Sequence, residues 1–354
     1  MLGILSCFRS LPQRLLRAMT SNQNYALIFY FHRYAGLIFR CFMKTISPIM
    51  LVGANLLILF VAATYIVYLL PSFYKYSGLY CGVQFVVGLF FLVNVLFNYN
   101  MCAATPAGSP PACDDPGKFL GYYSCEVDGR QIHQLNKKLY VAPAVVYKYC
   151  KHCKVIKPPR AHHCSVSGKC ILNMDHFCPW MNNTVGYYNY RYFLLFMLYL
   201  CGGALYYLCV AVPLFTTLDL SQAHKKSVED GPFLERHKNS FVIFTVTIAV
   251  SAWLSVLMLG LWHVFLLLTN QTTIEFYLNM DERAEMKKMG LVFKNPYHRG
   301  TRKNIRRVFG DVGFVGALAI SSREPVEPEF PWLPTKSVYA MAIEYTRQMV
   351  ALQV

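Results

Sequence analysis

Five of the chain's thirteen cysteines fall between Tyr149 and Gly186, in the stretch YCKHCKVIKPPRAHHCSVSGKCILNMDHFCPWMNNTVG. Cys150 and Cys153 form a C-x2-C pair, nine residues separate Cys153 from His163, and Cys164 and Cys170 follow. Three thiolates and an imidazole at such spacing suit a tetrahedral zinc site with no open position, which would staple a small loop-rich domain. His162 stands beside His163, and spacing alone does not choose between them. Cys178 stands apart, two residues after Asp175-His176. A carboxylate that orients an imidazole, and an imidazole that takes a thiol proton, together make an activated nucleophile.

The run Asp175-His176-Phe177-Cys178-Pro179-Trp180, followed by Asn182-Asn183-Thr184-Val185-Gly186, resembles the DHHC protein S-acyltransferases (palmitoyltransferases). In that family a cysteine-rich domain ends in Asp-His-His-Cys, so this chain is a divergent form carrying Asp-His-Phe-Cys. The resemblance implies two zinc ions. Matched residue by residue, the first site is complete in Cys150, Cys153, His163 and Cys170. The second keeps only Cys164, because Ser167, Phe177 and Thr184 occupy the other three positions. The expectation is therefore one structural zinc, with the ring of Phe177 and Pro179-Trp180 packed where a second ion would otherwise hold the loop.

These residues need a membrane around them. The chain of 354 residues is 55% hydrophobic, too apolar for an ordinary soluble domain. Four uncharged runs, 49–70, 79–97, 193–214 and 241–268, are each long enough to cross a hydrocarbon core of about 30 Å. The fold expected is an α-helical polytopic membrane protein with the zinc-binding domain, 99–192, between spans two and three. Residues 1–48 read as a basic amphipathic segment on the membrane surface, Pro71 to Ser77 as a turn, and 269–354 as a tail with a Pro-rich linker around 324–334 and a short terminal helix. Arg9, Arg14 and Arg17 break the early apolar stretches and argue against a cleavable signal peptide.

The formal net charge is +16, but the basic residues are dispersed between apolar runs, which argues against a nucleic-acid groove. Lys and Arg number 6 in the N-terminal segment, 11 in the island and 12 in the tail, against 1 and 4 in the two remaining loops. The positive-inside rule then puts both termini and the island in the cytosol, a reducing compartment that suits a metal-bound cysteine cluster.

Two later stretches extend the resemblance. Thr272-Thr273-Ile274-Glu275 is similar to the family's Thr-Thr-x-Glu motif, and Asn295 to Gly300 with Asn304 and Phe309-Gly310 is similar to its C-terminal aromatic and asparagine motif. Thr105-Pro106-Ala107-Gly108 stands where the family has Asp-Pro-Gly. The resemblance implies transfer of a long-chain acyl group from acyl-CoA, through an acyl-enzyme on Cys178, to cysteines of membrane-associated proteins on the cytosolic side. His176 would be general base and Asp175 its orienter, with Thr273, Glu275 and Asn304 supporting the site. It further implies a multi-pass protein of the endoplasmic reticulum or Golgi.

The alternative from another class is a member that has given up the reaction and serves as a membrane scaffold or regulator. A transporter fits poorly, because the four spans hold no Asp, Glu, Lys or Arg. His263, in the fourth run, reads as a histidine at the membrane interface. Gly202-Gly203 in the third run admit two readings, room for a long acyl chain or close helix packing.

Overall fold

The computed structural model describes residues 23–110, 148–157, 160–217, 233–288, 290, 292–295 and 297–311. Arg9, Arg14 and Arg17 of the N-terminal segment, much of the island's first half, the loop from 218 to 232 and the Pro-rich tail with its terminal helix lie outside the described residues.

Helix α1 (Gln23–Thr64) passes through a π-helical turn (Tyr65–Leu69) into α2 (Leu70–Tyr74). Two expectations change here. The described part of the N-terminal segment is no separate surface helix, since α1 runs unbroken through Pro48. Pro71 opens no turn, because it sits in α2, which continues directly from the π-helical turn. The turn itself is confined to residues 75–77, and Ser77 caps α3 (Gly78–Ala104) by accepting from the Tyr80 N–H at 3.0 Å.

Six short strands form three antiparallel hairpins: β1 (Lys148–Cys150) with β2 (Val155–Lys157), β3 (His162–Cys164) with β4 (Lys169–Ile171), and β5 (His176–Cys178) with β6 (Asn183–Val185). Then come α4 (Tyr190–Thr217), the single-turn α5 (Phe233–Arg236), α6 (Lys238–Thr269), α7 (Thr273–Lys288) and α8 (Thr301–Phe309). Among the described residues four helical stretches are long and apolar enough to cross a membrane: Tyr34–Tyr74, Gly78–Ala104, Tyr190–Val212 and Lys238–Thr269. Helix α4 packs against both α3 and α6.

Asparagines weld the hairpins to the helix ends. The last carbonyls of a helix have no partner within it and must find one when buried. The Asn183 amide donates to Cys102, Ala103 and Thr105 at the end of α3 at 3.1, 3.1 and 2.8 Å, and Asn189 donates to Thr105 and Thr184 at 3.2 and 2.8 Å. At the end of α6, Asn304 donates to the Leu268 carbonyl and Asn295 to that of Thr269, both at 2.7 Å. Gly108 completes the joint at α3: its φ is +94° and a Cβ there would lie 2.5 Å from the Tyr188 ring, so only glycine fits while its carbonyl accepts from the Leu172 N–H at 3.0 Å.

Candidate active site and metal cluster

Two turns of the same shape sit at the hairpin tips. In the first, the Lys154 N–H donates to the Cys150 carbonyl at 2.8 Å and the Cys153 N–H to Cys150 Sγ at 3.4 Å, with Lys154 at φ +54° closing the turn. In the second, Gly168 donates to the Cys164 carbonyl at 2.8 Å and Ser167 N–H to Cys164 Sγ at 3.4 Å, with Gly168 at φ +71°. Both are thiolate-cradling backbones, yet only one is surrounded by ligands.

His163 lies directly across from Cys170 in the second hairpin, and its Nδ1 is 3.2 Å from Cys153 Sγ, 3.6 Å from Cys150 Sγ and 4.0 Å from Cys170 Sγ. The four ligand atoms all lie within 4.8 Å of one another. Tetrahedral zinc with bonds of about 2.3 Å to sulfur and about 2.0 Å to nitrogen sets ligand edges of about 3.5–3.8 Å, so this donor set fits the ion. His163, not its neighbour His162, supplies the imidazole.

The other four matched positions also meet, but around no ion-sized donor set. Phe177 and Thr184 face each other across β5 and β6, and the Thr184 hydroxyl donates to Cys164 Sγ at 3.3 Å. Ala107, Cys164, Val166 and Ile171 form a buried apolar cluster, with Met43 of α1, Met174 and Phe177 packed on it. One thiol among methyl and phenyl groups does not fit a second zinc.

Alternation along a strand sends His176 and Cys178 to one face of β5 and Phe177 to the other. The ring of Phe177 thus joins the apolar cluster while His176 and Cys178 look away from it. Asp175 is buried and accepts three hydrogen bonds: from His176 Nδ1 at 2.7 Å, from the Thr273 N–H at 2.7 Å and from the Thr273 hydroxyl at 2.9 Å. Thr273 is the first residue of α7, so the carboxylate also meets the positive end of that helix. Burial works against its ionisation, but the hydrogen bond and charge of His176 and the N–H of Thr273 hold Asp175 below the usual carboxylate range. For His176 burial likewise opposes charge, yet the hydrogen bonds to Asp175 and Cys178 prevail and raise it to about 9.

Glu275, placed beside Thr273 by sequence, does not touch the Asp–His pair. It accepts from Thr272 N–H at 2.9 Å while Thr272 Oγ1 accepts from Glu275 N–H at 3.2 Å, a reciprocal cap on α7. It also pairs with Arg160 through two bonds of 2.5 and 2.7 Å. Arg160 is buried, bonds Asn270 Oδ1 at 3.0 Å and lies 4.4 Å above the Tyr297 ring. The pair locks the cysteine-rich segment to the helix that presents Thr273. Asn304 acts at one remove, holding the end of α6.

Sequence reasoning missed Arg160, Asn270 and Tyr190, named Thr272 only as part of a motif, and did not bring His263 to the site. That histidine is 1% exposed, its Nδ1 is 3.2 Å from the Tyr190 hydroxyl, and its ring packs on Phe193 and His176 at centroid distances of 5.0 and 5.8 Å. It stands inside the site, packed against His176. The signal was faint: one imidazole in an apolar run, with partners remote in sequence.

On its other side Cys178 opens onto an apolar cavity of about 550 Å³ between the helices. Phe193, Met197, Gly203, Ala204 and Tyr207 of α4 line it in descending order. Its wall also includes Tyr65 of the π turn, whose hydroxyl meets Tyr206 Oη at 2.7 Å. Gly202 and Gly203 serve packing: a Cβ on either would lie 2.9 or 3.2 Å from Phe91 of α3, while Gly203 lines the cavity with its backbone.

Residues 146–280 match the family model described as DHHC palmitoyltransferase. Among curated proteins the chain is similar to "Probable protein S-acyltransferase 16" of Arabidopsis thaliana, 32% identical over 200 residues that make up 55% of this chain and 65% of the relative. It is similar also to "Palmitoyltransferase ZDHHC20" of Mus musculus, 39% identical over 176 residues, or 46% and 43% of the two chains. The match to "Palmitoyltransferase ZDHHC15" of Xenopus laevis is 35% over 166 residues, 46% and 44%. The chain thus spans between about two-fifths and two-thirds of these relatives' length.

Proposed function

We propose that the chain is a membrane-embedded protein S-acyltransferase using acyl-CoA as donor. The observation that carries this reading is the position of Cys178, with the Asp175–His176 pair beside it and a long apolar cavity on its other side. An acyl chain fits among the helices while a CoA head stays in water.

His176 takes the proton of the Cys178 thiol, and the sulfur attacks the thioester carbonyl of acyl-CoA. The bond from carbonyl to CoA sulfur breaks, His176 returns the proton to the departing CoA, and the acyl group rests on Cys178. In the second half a substrate cysteine yields its proton to His176, attacks the acyl-enzyme and leaves with the acyl group, and Cys178 regains the proton. Asp175 and Cys178 raise the imidazole to about 9, so once it holds the thiol proton it stays as an imidazolium beside the sulfur, and Asp175, held by Thr273, keeps its Nδ1–H in place.

Zinc at Cys150, Cys153, His163 and Cys170 supplies a structural crosslink between the first two hairpins. One ion suffices, since apolar packing of Phe177, Met174 and Met43 replaces a second. The charge distribution favours cytosolic termini and a cytosolic site, and the family's usual setting favours the endoplasmic reticulum or Golgi. Membrane-associated proteins with cytosolic cysteines are the acceptors. The scaffold alternative is disfavoured, because Asp175, His176, Cys178 and Thr273 keep an assembled geometry around an open cavity.

Free CoA released from palmitoyl-CoA by the purified protein tests this reading. A burst of one CoA per chain is expected, absent in Cys178→Ser and slowed by roughly 10²- to 10⁴-fold in His176→Ala. An undiminished burst in Cys178→Ser would reject it.

A further inference from the structure

Between Val292 and Gly310 the chain carries Lys294, Arg299, Arg302, Lys303, Arg306 and Arg307 and no acidic residue. Four of these six lie in α8, and helix geometry sorts them. At about 100° per residue, Ile305, Val308 and Phe309 share one face, and Arg302, Lys303, Arg306 and Arg307 share the opposite one. A topology signal needs only a count of basic residues on one side of the membrane, so it leaves this sorting unexplained.

The apolar face rests on the spans. Val308 and Phe309 pack on the buried cluster that holds Tyr192, Phe193, Leu194 and Met197, and Phe309 also reaches that of Leu195 and Tyr199. Asn304, between the two faces, donates to the Leu268 carbonyl at 2.7 Å, which fixes α8 at the height where the apolar helix α6 ends. Ile305 stays exposed. A helix in the membrane interface keeps its apolar face among acyl chains and its Lys and Arg at headgroup level.

The basic face is short of counter-charge. Arg302 and Lys303 are exposed and form no ion pair among the described residues, and Arg306 pairs only with Asp311 at 3.0 Å, an exposed contact worth little. Arg307 bonds Asn270 Oδ1 at 3.2 Å, and burial, followed by the repulsion of Arg160, pushes its guanidinium down to about 9. Arg299 repels it as well, while Glu275, the carboxylate that favours its charge, already takes two bonds from Arg160.

We propose that α8 binds the headgroups of anionic phospholipids in the leaflet on the side of the cysteine-rich domain, with Arg302, Lys303 and Arg306 on the headgroup oxygens. Ile305 neighbours both Arg302 and Arg306 on the helix surface, so one lipid lays its chains beside Ile305 while its charge meets the two guanidinia. A free anion would use only the basic half of this surface. Occupancy ties α8 to the bilayer and, through Asn304 and Arg307, steadies the end of α6 just before Thr273. The binding does not depend on acyl transfer.

The test titrates purified full-length protein in uncharged detergent with dioctanoyl phosphatidylserine and, separately, dioctanoyl phosphatidylcholine, and reads the melting temperature. The serine lipid should raise it saturably and the choline lipid should not. Combining Arg302→Gln, Lys303→Gln and Arg306→Gln should move the midpoint up at least 10-fold, and Arg302→Gln alone, at an exposed position, by about 5-fold, which keeps the test decisive if the triple variant folds poorly. Combining Lys151→Gln, Lys154→Gln and Lys169→Gln removes the same charge from exposed positions on the first two hairpins and should leave the response as in wild type. Equal shifts with the two lipids, an unchanged midpoint in the α8 variants, or an equal loss in the hairpin variant overturns the proposal. Inorganic phosphate that reproduces the shift at the same concentrations assigns the face to a free anion and overturns the lipid.

Discussion

Replacing Ala204 by phenylalanine puts a ring into the cavity eleven residues below Phe193, about 16 Å along α4 at 1.5 Å per residue. At that depth the ring meets only the distal carbons of a long acyl chain. Each methylene kept out of an apolar site forfeits ~0.8 kcal/mol, so displacing two or three costs ~1.6–2.4 kcal/mol, a loss of roughly 15- to 60-fold. A shorter chain that ends above the ring loses nothing. The assay offers twelve- and sixteen-carbon acyl-CoA to the same protein and reads the thioester on Cys178 by intact mass. Gly203→Phe is the control, because its new side chain starts 3.2 Å from Phe91 and should lower folded yield with every donor. Equal loss of both donors in Ala204→Phe, with the protein folded, would refute the assignment of the cavity to the acyl chain.

Arg160→Met strands the buried Glu275 carboxylate and should cost ~3–5 kcal/mol, lowering the melting temperature in detergent. Adding Glu275→Leu should recover much of that loss, and an additive double variant would deny the coupling. Metal analysis should find one tightly bound zinc per chain; Cys153→Ser should lose metal and protein yield, whereas Cys164→Ser should keep both, since serine still accepts from the Ser167 N–H. His176 is raised from 6.5 to about 9, so its contribution to stability is complete below about 6.5 and lost as pH rises through about 9. Asp175 is lowered, so its contribution is lost as pH falls through its folded value. Melting temperatures should fall on the alkaline side between these limits, and His176→Ala should flatten that limb.

What could be read from the chain follows from distance along it. Cys150, Cys153, His163 and Cys170 lie within one stretch, and a metal accepts few spacings, so the cluster was legible. So were the apolar runs, whose length a bilayer dictates. The absence of metal ligands at Ser167, Phe177 and Thr184 was legible, but not the packing of Met43, on a helix far upstream, against their cluster. Arg160 meets Glu275 across 115 residues, and nothing local marks that arginine among its basic neighbours. Pro71 read as the opening of a turn, yet it sits inside a helix, and α1 likewise runs on through Pro48. The helix-capping roles of Asn183, Asn189, Asn295 and Asn304 depend on carbonyls that only the tertiary fold brings near.

The central claim is that Cys178 carries the acyl group, and intact-mass analysis of purified protein incubated with palmitoyl-CoA measures it. One palmitoyl group per chain, mapped to Cys178, released by neutral hydroxylamine and absent in Cys178→Ser, is the predicted result. A stable acyl group on another cysteine, or a Cys178→Ser protein that acquires the same hydroxylamine-sensitive adduct, would contradict it.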